Sequence, residues 1–321
     1  MGTLVITHKQ CIMLIDVLIP TYNRGADVLA NLQALESQIA QYQLWDQVQI
    51  IISDNCSPDN TSALVEAYCQ QKPDNLQVYY YKNEENIGLE GNAVAVLEKA
   101  TSPFVLFLGD DDFLAEGYLN YCYQSIQQYE DLGCIIPGIV SVFQDGSTKD
   151  VRGNAPEATQ TAGFEALLAW SHWGHQMSGI LCKREGLLAS YLAQQEYRNP
   201  YLFLYFTAYC LYHHRSIYNP QYKTRVNTFN EKDWGYNKVG LLDEVYQCYY
   251  YFLKELGKEK VAQLLLRFTV LHSYRLAFST KNLRKVYRQY KYLVAYTQHL
   301  PTAKKGLRNI FFKDYIKALL S

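Results

Sequence analysis

From residue 12 to residue 143 the chain alternates short apolar runs with stretches of helical periodicity. The spacing predicts strands over residues 12–19 (closed by Pro20), 48–52, 78–81, 104–108 and 134–143. Between them it predicts four helices. The first covers residues 26–41, with Leu29, Leu32 and Leu35 among its apolar positions. The second runs from a cap at Asp59 or Asn60 to about Gln71, with Leu64, Val65 and Tyr68 inward. The others cover 91–99 and 118–129. Strands alternating with helices imply right-handed βαβ units, hence an α/β fold with a mainly parallel sheet and helices on both faces. Residues 145–161, rich in Gly, Asp, Asn, Pro and Thr, read as a loop. Beyond it the alternation weakens. Residues 179–182 read as one more strand, 187–195 and 202–212 as helices. From Leu241 onward nearly everything reads as helix, broken near Gly257, Thr280 and Pro301.

The run from Phe104 to Asp112 changes this picture from architecture to chemistry. Five apolar residues, Phe104 to Leu108, read as a strand buried on both faces, and Gly109 then leads into Asp110, Asp111 and Asp112. Three adjacent carboxylates repel one another unless they are solvated or share a cation. Mg²⁺ and Mn²⁺ take such oxygen ligands and complete their shells with substrate phosphates. Ligands of open α/β sheets bind at the carboxyl ends of strands, where these acids lie. Other strand ends carry polar loops too: Pro20-Thr21-Tyr22-Asn23-Arg24, then Ser53-Asp54-Asn55-Cys56-Ser57-Pro58-Asp59-Asn60-Thr61, then Asn83-Glu84-Glu85-Asn86-Ile87-Gly88-Leu89-Glu90-Gly91-Asn92. Neither a GxGxxG nor a GxxxxGK[ST] loop is present, which argues against dinucleotide enzymes and P-loop ATPases.

In this order and spacing, the four loops resemble those of the family 2 glycosyltransferases over residues 15–142. The resemblance implies a GT-A, nucleotide-diphospho-sugar transferase fold. The Gly-Asp-Asp-Asp form is similar to the branch that builds bacterial surface polysaccharides, abequosyltransferase-like enzymes included. Residues 12–237 would then be the catalytic domain, with 12–143 its nucleotide-sugar half and 144–237 its acceptor half, followed by a helical region over 238–321. The resemblance implies that Pro20, Thr21, Asn23 and Arg24 line the nucleotide pocket and that Asp54 contacts the base. Asn86, Gly88 and Asn92 shape the sugar-nucleotide side. Asp111 and Asp112 hold Mn²⁺ or Mg²⁺, with Asp110 beside them. Gly109 stands where many members carry the first acid of Asp-x-Asp. The implied reaction moves a sugar from a nucleotide diphosphate to an acceptor hydroxyl, through an oxocarbenium-like transition state and with inversion. The attacking hydroxyl needs a general base. Glu196 is the nearest acidic candidate after the sheet domain, and His172 and His175, flanked by Trp170 and Trp173, are the others.

Composition adds further expectations. The net charge is −1, yet residues 273–321 hold eleven Lys/Arg (275, 281, 284, 285, 288, 291, 304, 305, 308, 313 and 317) and one acid, Asp314. Mixed with aromatics at helical spacing, these cations suit an anionic membrane surface. No recognition motif for nucleic acid accompanies them. The eight cysteines are scattered without a CxxC pair, which argues against a zinc site or disulfide framework and fits a reducing cytosol. Residues 1–10 lack the apolar core of a secretory signal, and Met13 is an alternative start. No apolar run is long enough to span a membrane. The protein is expected to be cytoplasmic or peripheral on the inner face of the plasma membrane, with a glycan or lipid-linked glycan acceptor. The 29 tyrosines read mainly as core filler, and a Tyr-rich helical tail can also support a homo-oligomer. Two rival readings remain. A sugar nucleotidyltransferase would want a glycine-rich, basic loop after the first strand. A non-catalytic nucleotide-sugar-binding protein would have no use for three adjacent acids.

Overall fold

A computed structural model of the chain describes residues 13–153, 155–228, 241–272 and 283–320. The chain forms two compact units, each assembled from non-consecutive segments. The first comprises the described residues of Met1–Ala158, Ser178–Leu188 and Ile217–Asn230. The second comprises those of Thr159–Met177, Ala189–Ser216 and Glu231–Ser321.

The first unit is built on a mixed, mostly parallel sheet. β1 (Ile15–Thr21), β2 (Val48–Asp54), β3 (Val78–Lys82) and β4 (Phe104–Phe107) are parallel, and β1 lies between β2 and β4. β1, β2 and β4 are buried along their whole length, which explains their unbroken apolar runs. β1 does not stop at Pro20. Pro20 pairs with Ser53 and the strand ends at Thr21, opposite Asp54. This register brings the polar ends of β1 and β2 side by side.

Between these strands run α1 (Gly25–Gln41), α2 (Thr61–Gln71) and α3 (Gly88–Glu98), and α4 (Tyr118–Gln128) follows β4. Ile15, Val17 and Ile19 share a core with Val28, Leu32 and Leu35 of α1, Val65 of α2, and Tyr118 and Leu119 of α4. α3 instead packs on β1 and β2 with Ala93, Val96 and Leu97 buried. Alternate β1 residues point to opposite faces, so helices cover both sides.

Beyond α4 the sheet turns antiparallel. β5 (Leu132–Val142) pairs with β6 (Thr148–Arg152). The expectation of a continuous loop over 145–161 is therefore corrected: β6 and the short β7 (Ala158–Gln160) lie within it. Composition misled there, because most of β6 is exposed and its ladder to β5 holds it. β8 (Leu181–Lys183) runs antiparallel to both β4 and β5, giving the order β3-β2-β1-β4-β8-β5, with β9 (Arg215–Asn227) next to β5. β9 is a strand that the apolar pattern did not reveal.

The second unit is helical: α5 (Phe164–Trp170), α6 (Leu187–Leu192) at its boundary, α7 (Leu202–His213), α8 (Leu241–Tyr250), α9 (Leu253–Leu271), α10 (Leu283–Tyr296) and α11 (Pro301–Leu320). Gly257 interrupts α9 at φ 73°, and Pro301 opens α11, as their positions predict. The predicted break at Thr280 lies outside the described residues. Tyr191, Tyr246 and Tyr249 are fully buried, and the rings of Tyr205 and Tyr251 lie 4.1 Å apart, so tyrosine fills this core. The described cysteines are free thiols. Among the described residues no helix is long and apolar enough to cross a membrane.

Candidate active site

The loops at the carboxyl ends of β1, β2, β3 and β4 are joined side chain to side chain. Asn92, buried on α3, is the central tie. Its amide donates to Thr21 O (3.3 Å) and Ser53 O (3.0 Å), and its oxygen accepts from Ser53 Oγ (2.7 Å) and Asn83 Nδ2 (3.0 Å). One side chain thus satisfies backbone at two strand ends and anchors the loop after β3. A second tie joins the β2 and β3 loops. Asn55 donates to Asn86 Oδ1 (2.8 Å) and accepts from Ile87 N (2.9 Å), while Asn86 Oδ1 also accepts from Gly88 N (2.9 Å). Gly88 adopts φ 76°, where a side chain is strained, and opens α3.

The β1 and β2 loops are held in strained backbone. Asn23 (φ 57°) and Cys56 (φ 62°) both occupy the left-handed region, at a cost of about 1–3 kcal/mol each. Asn23 N donates to Ser57 Oγ (2.8 Å), so each loop supports the other. Asp54 organises this corner. Fully buried, it accepts from Ser57 N (2.9 Å), Ser57 Oγ (2.5 Å), Ser62 Oγ (3.2 Å) and the Tyr80 hydroxyl (2.7 Å). Those donors fill the roughly four acceptor positions of a carboxylate. Burial pushes the Tyr80 hydroxyl well above its ordinary pKa, and Asp54 adds to the shift. Asn60 occupies the N-cap position of α2 without a side-chain cap bond, and Asp59 just before it accepts from Thr61 N (3.0 Å).

The three acids after β4 divide into different environments. Asp110 accepts from Thr21 Oγ1 (2.8 Å). Burial and the neighbouring Asp111 charge raise its carboxyl to about 7, against the Thr21 bond and the Arg24 charge. Arg24 itself is half-buried and pairs with Asp27 at 3.7 Å. Asp112 is committed to the fold: its carboxylate accepts from Ser178 Oγ and from Asn227 N (3.2 Å). Asp111 is buried as well, and its backbone carbonyl accepts from Asn227 Nδ2 (2.7 Å). Asn31, buried on α1, donates to Gly109 O (3.0 Å) and Asp112 O (2.8 Å). The acidic turn is thus clamped from three sides. A Cβ on Gly109 would sit 2.7 Å from Asp112 Oδ2, so this turn has no room for an acid in place of the glycine.

The sequence reading did not single out Asn31, Asn55, Tyr80, Ser178 or Asn227 for these roles. Asn31 alone left a signal, as a polar residue on the inner face of an apolar helix. The candidates for a base lie in the second unit. Glu196 is exposed on a 3-10 turn (Gln195–Tyr197). His172 and His175 belong to another 3-10 turn (Ser171–His175). His172 is buried, its ring 5.1 Å from that of Trp173. His175 places Nδ1 2.6 Å from His172 O and its ring 4.6 Å from that of His272.

Among the described residues no three His, Cys, Asp or Glu side chains are gathered into a metal shell. The donor set nonetheless suits a hard cation. Adjacent carboxylates, one of them raised to about 7 by burial and then by like charge, gain from a cation among them.

Residues 16–179 match the family model for glycosyl transferase family 2. The chain is 30% identical over 114 residues to the GalNAc(5)-diNAcBac-PP-undecaprenol beta-1,3-glucosyltransferase of Campylobacter jejuni, covering 36% of this chain and 35% of that protein. It is 32% identical over 120 residues to abequosyltransferase RfbV of Salmonella typhimurium, covering 37% and 34%. The chain thus spans about a third of the length of these curated relatives. In fold it is similar to TarS 1-349 of S. aureus in complex with UDP-GlcNAc (TM-score 0.67, 15% identity, 94% of this chain and 89% of that one). It is also similar to the mannosyltransferase PcManGT of Pyrobaculum calidifontis in complex with GDP-Man and Mn²⁺ (TM-score 0.52, 14% identity, 96% and 87%). The matched segment covers about half of the chain, from the second residue of β1 through the Ser178 that holds Asp112, and the fold agrees with it: the chain belongs to the family 2 glycosyltransferases.

Proposed function

We propose that the chain transfers a sugar, with inversion, from a nucleotide diphosphate to a hydroxyl of a glycan or lipid-linked glycan, in the synthesis of a bacterial surface polysaccharide. The carrying observation is the welding of four strand-end loops around the Asp110–Asp112 turn, with Thr21 of β1 bonded to Asp110. The relatives named above support the substrate class, since their names include a glucosyltransferase acting on an undecaprenol-linked glycan and an abequosyltransferase.

In this reading the loops after β1 and β2 receive the nucleotide. Asp54 serves the base side. The Ser62 bond, the longest of its four, is the one a base N–H can replace. Exposed Asn23, Asn86 and Gly88 face the donor, and Arg24 adds positive charge for the diphosphate. Asp111 is the principal ligand for Mg²⁺ or Mn²⁺, with Asp110 beside it, because Asp112 is engaged by Ser178 and Asn227. When bound, the cation offsets the charge gathering on the leaving diphosphate. For the base, Glu196 is exposed to solvent, whereas His172 is buried and His175 approaches a carbonyl. Glu196→Gln is therefore the first substitution to test, followed by His175→Gln.

The test is a thermal-shift screen of nucleoside diphosphates and nucleotide-sugars with and without Mn²⁺, followed by a transfer assay with the best donor. A metal-dependent rise in Tm that is lost in folded Asp111→Asn supports the reading. No shift with any diphosphate, or normal turnover by that variant, overturns it.

A further inference from the structure

The C-terminal helices α10 and α11 are rich in Lys and Arg. Their inner sides are accounted for within the second unit: Leu293, Leu300, Ala303 and Leu307 are buried, and Gly306 lies so close to Leu266 of α9 that a Cβ would fall 2.4 Å from its Cδ1. The outer sides are different. On α10, Arg284, Tyr287, Arg288 and Lys291 are exposed at i, i+3, i+4 and i+7, with Tyr292 alongside. On α11, Lys304, Lys305, Arg308, Phe312 and Ile316 are exposed at i, i+1, i+4, i+8 and i+12, along one side of the helix. No acid occurs between residues 283 and 313.

The two stripes adjoin. Phe311 of α11 packs on Tyr290 (ring centroids 4.8 Å) and Tyr287 (5.9 Å) of α10. Lys291 Nζ lies 5.4 Å from the Tyr287 ring, and the Arg308 guanidinium 5.6 Å from the Phe312 ring. Cations are thus interleaved with large apolar groups, Phe312 and Ile316 being about half exposed. Exposed Ile and Phe beside Lys and Arg suit the boundary between headgroups and acyl chains, where rings and aliphatic tips enter and cations meet lipid phosphates. Single-stranded nucleic acid is met by a basic groove with rings on which bases stack, and Ile316 offers no such ring.

We infer that the outer faces of α10 and α11 form one docking surface for an anionic lipid bilayer. This surface does not depend on the sugar reaction and would hold the enzyme where a lipid-linked acceptor resides.

The test is co-sedimentation of the full chain with phosphatidylcholine vesicles, with and without phosphatidylglycerol, at low and high salt, with polyuridylate as a competitor. Binding is expected to anionic vesicles only, and to weaken with salt. Reversing four exposed charges (Arg288→Glu, Lys291→Glu, Lys305→Glu, Arg308→Glu) should lower the partition coefficient on the order of a hundredfold or more. The milder Arg288→Gln/Lys305→Gln pair should cause a partial loss, and Tyr287→Ser/Phe312→Ser should weaken binding without changing its salt dependence. Nucleotide-induced thermal shifts, read on the same variants, should stay unchanged. Equal binding to neutral vesicles, no binding, full binding by the fourfold variant, or preference for polyuridylate would each overturn the inference.

Discussion

Thr21 Oγ1 donates to Asp110 Oδ2 at 2.8 Å, across 89 positions of sequence. The bond joins the end of β1 to the acidic turn after β4, two parallel neighbours in the sheet. It favours the ionised carboxylate, while burial and Asp111 favour the neutral acid and prevail, leaving Asp110 at about 7.

A pH dependence follows. An unfolded aspartate titrates near 3.9, so folded Asp110 holds its proton more tightly than the unfolded chain does. Its contribution to stability is fully present below about pH 4 and declines as pH rises toward 7. In chelator, Asp110→Asn should therefore raise Tm at about pH 8 and leave it unchanged near pH 4. The gain is about 1–2 kcal/mol after allowing for solvent around a half-buried group. Equal Tm differences at both pH values would refute the assignment.

Asp111 and Asp112 should separate in a paired substitution. Asp112→Ala leaves Ser178 Oγ and Asn227 N without their acceptor and should cost about 2–3 kcal/mol of stability. Asp111→Ala should leave the stability within about 1 kcal/mol of wild type and abolish Mn²⁺-dependent nucleotide binding. Chemical denaturation and calorimetric titration on both variants decide the matter. The reverse pattern would exchange their roles.

Gly109→Ala introduces a methyl group 2.7 Å from the Asp112 oxygen that Ser178 already holds, while Asn227 N holds the other oxygen of the same carboxylate. A destabilisation of about 1–3 kcal/mol is expected. A parallel loss of nucleotide binding should accompany it, because the turn cannot shift without moving Asp111. An unchanged denaturation midpoint would show that the turn relaxes freely.

Asn92→Leu removes the four hydrogen bonds that tie the ends of β1 and β2 to the loop after β3. Buried polar groups left behind should cost about 2–4 kcal/mol. Hydrogen exchange should show faster opening at Thr21, Ser53 and Asn83, while protection in β5 stays as in wild type. Uniform loss of protection across the sheet would mean that Asn92 supports the whole unit and not the loops alone.

Local periodicity was enough to determine the elements that are buried along their length. The apolar runs of β1, β2 and β4 and the repeats of α1 to α4 each carry their own burial signal, and the punctuating Gly257 and Pro301 act where they stand. The four strand-end loops were legible too, since strand polarity alone places them at one edge of a parallel sheet. β6 and β9 were not, because exposed or interrupted strands are held by a ladder to β5 that no local pattern encodes. Only the tertiary structure divided three identical adjacent carboxylates among different tasks. Ser178 and Asn227 reach Asp112, and Thr21 reaches Asp110, from distant parts of the sequence. The ionisation and commitment of a carboxylate depend on which donors and charges surround it in space, and residue type and order do not specify that.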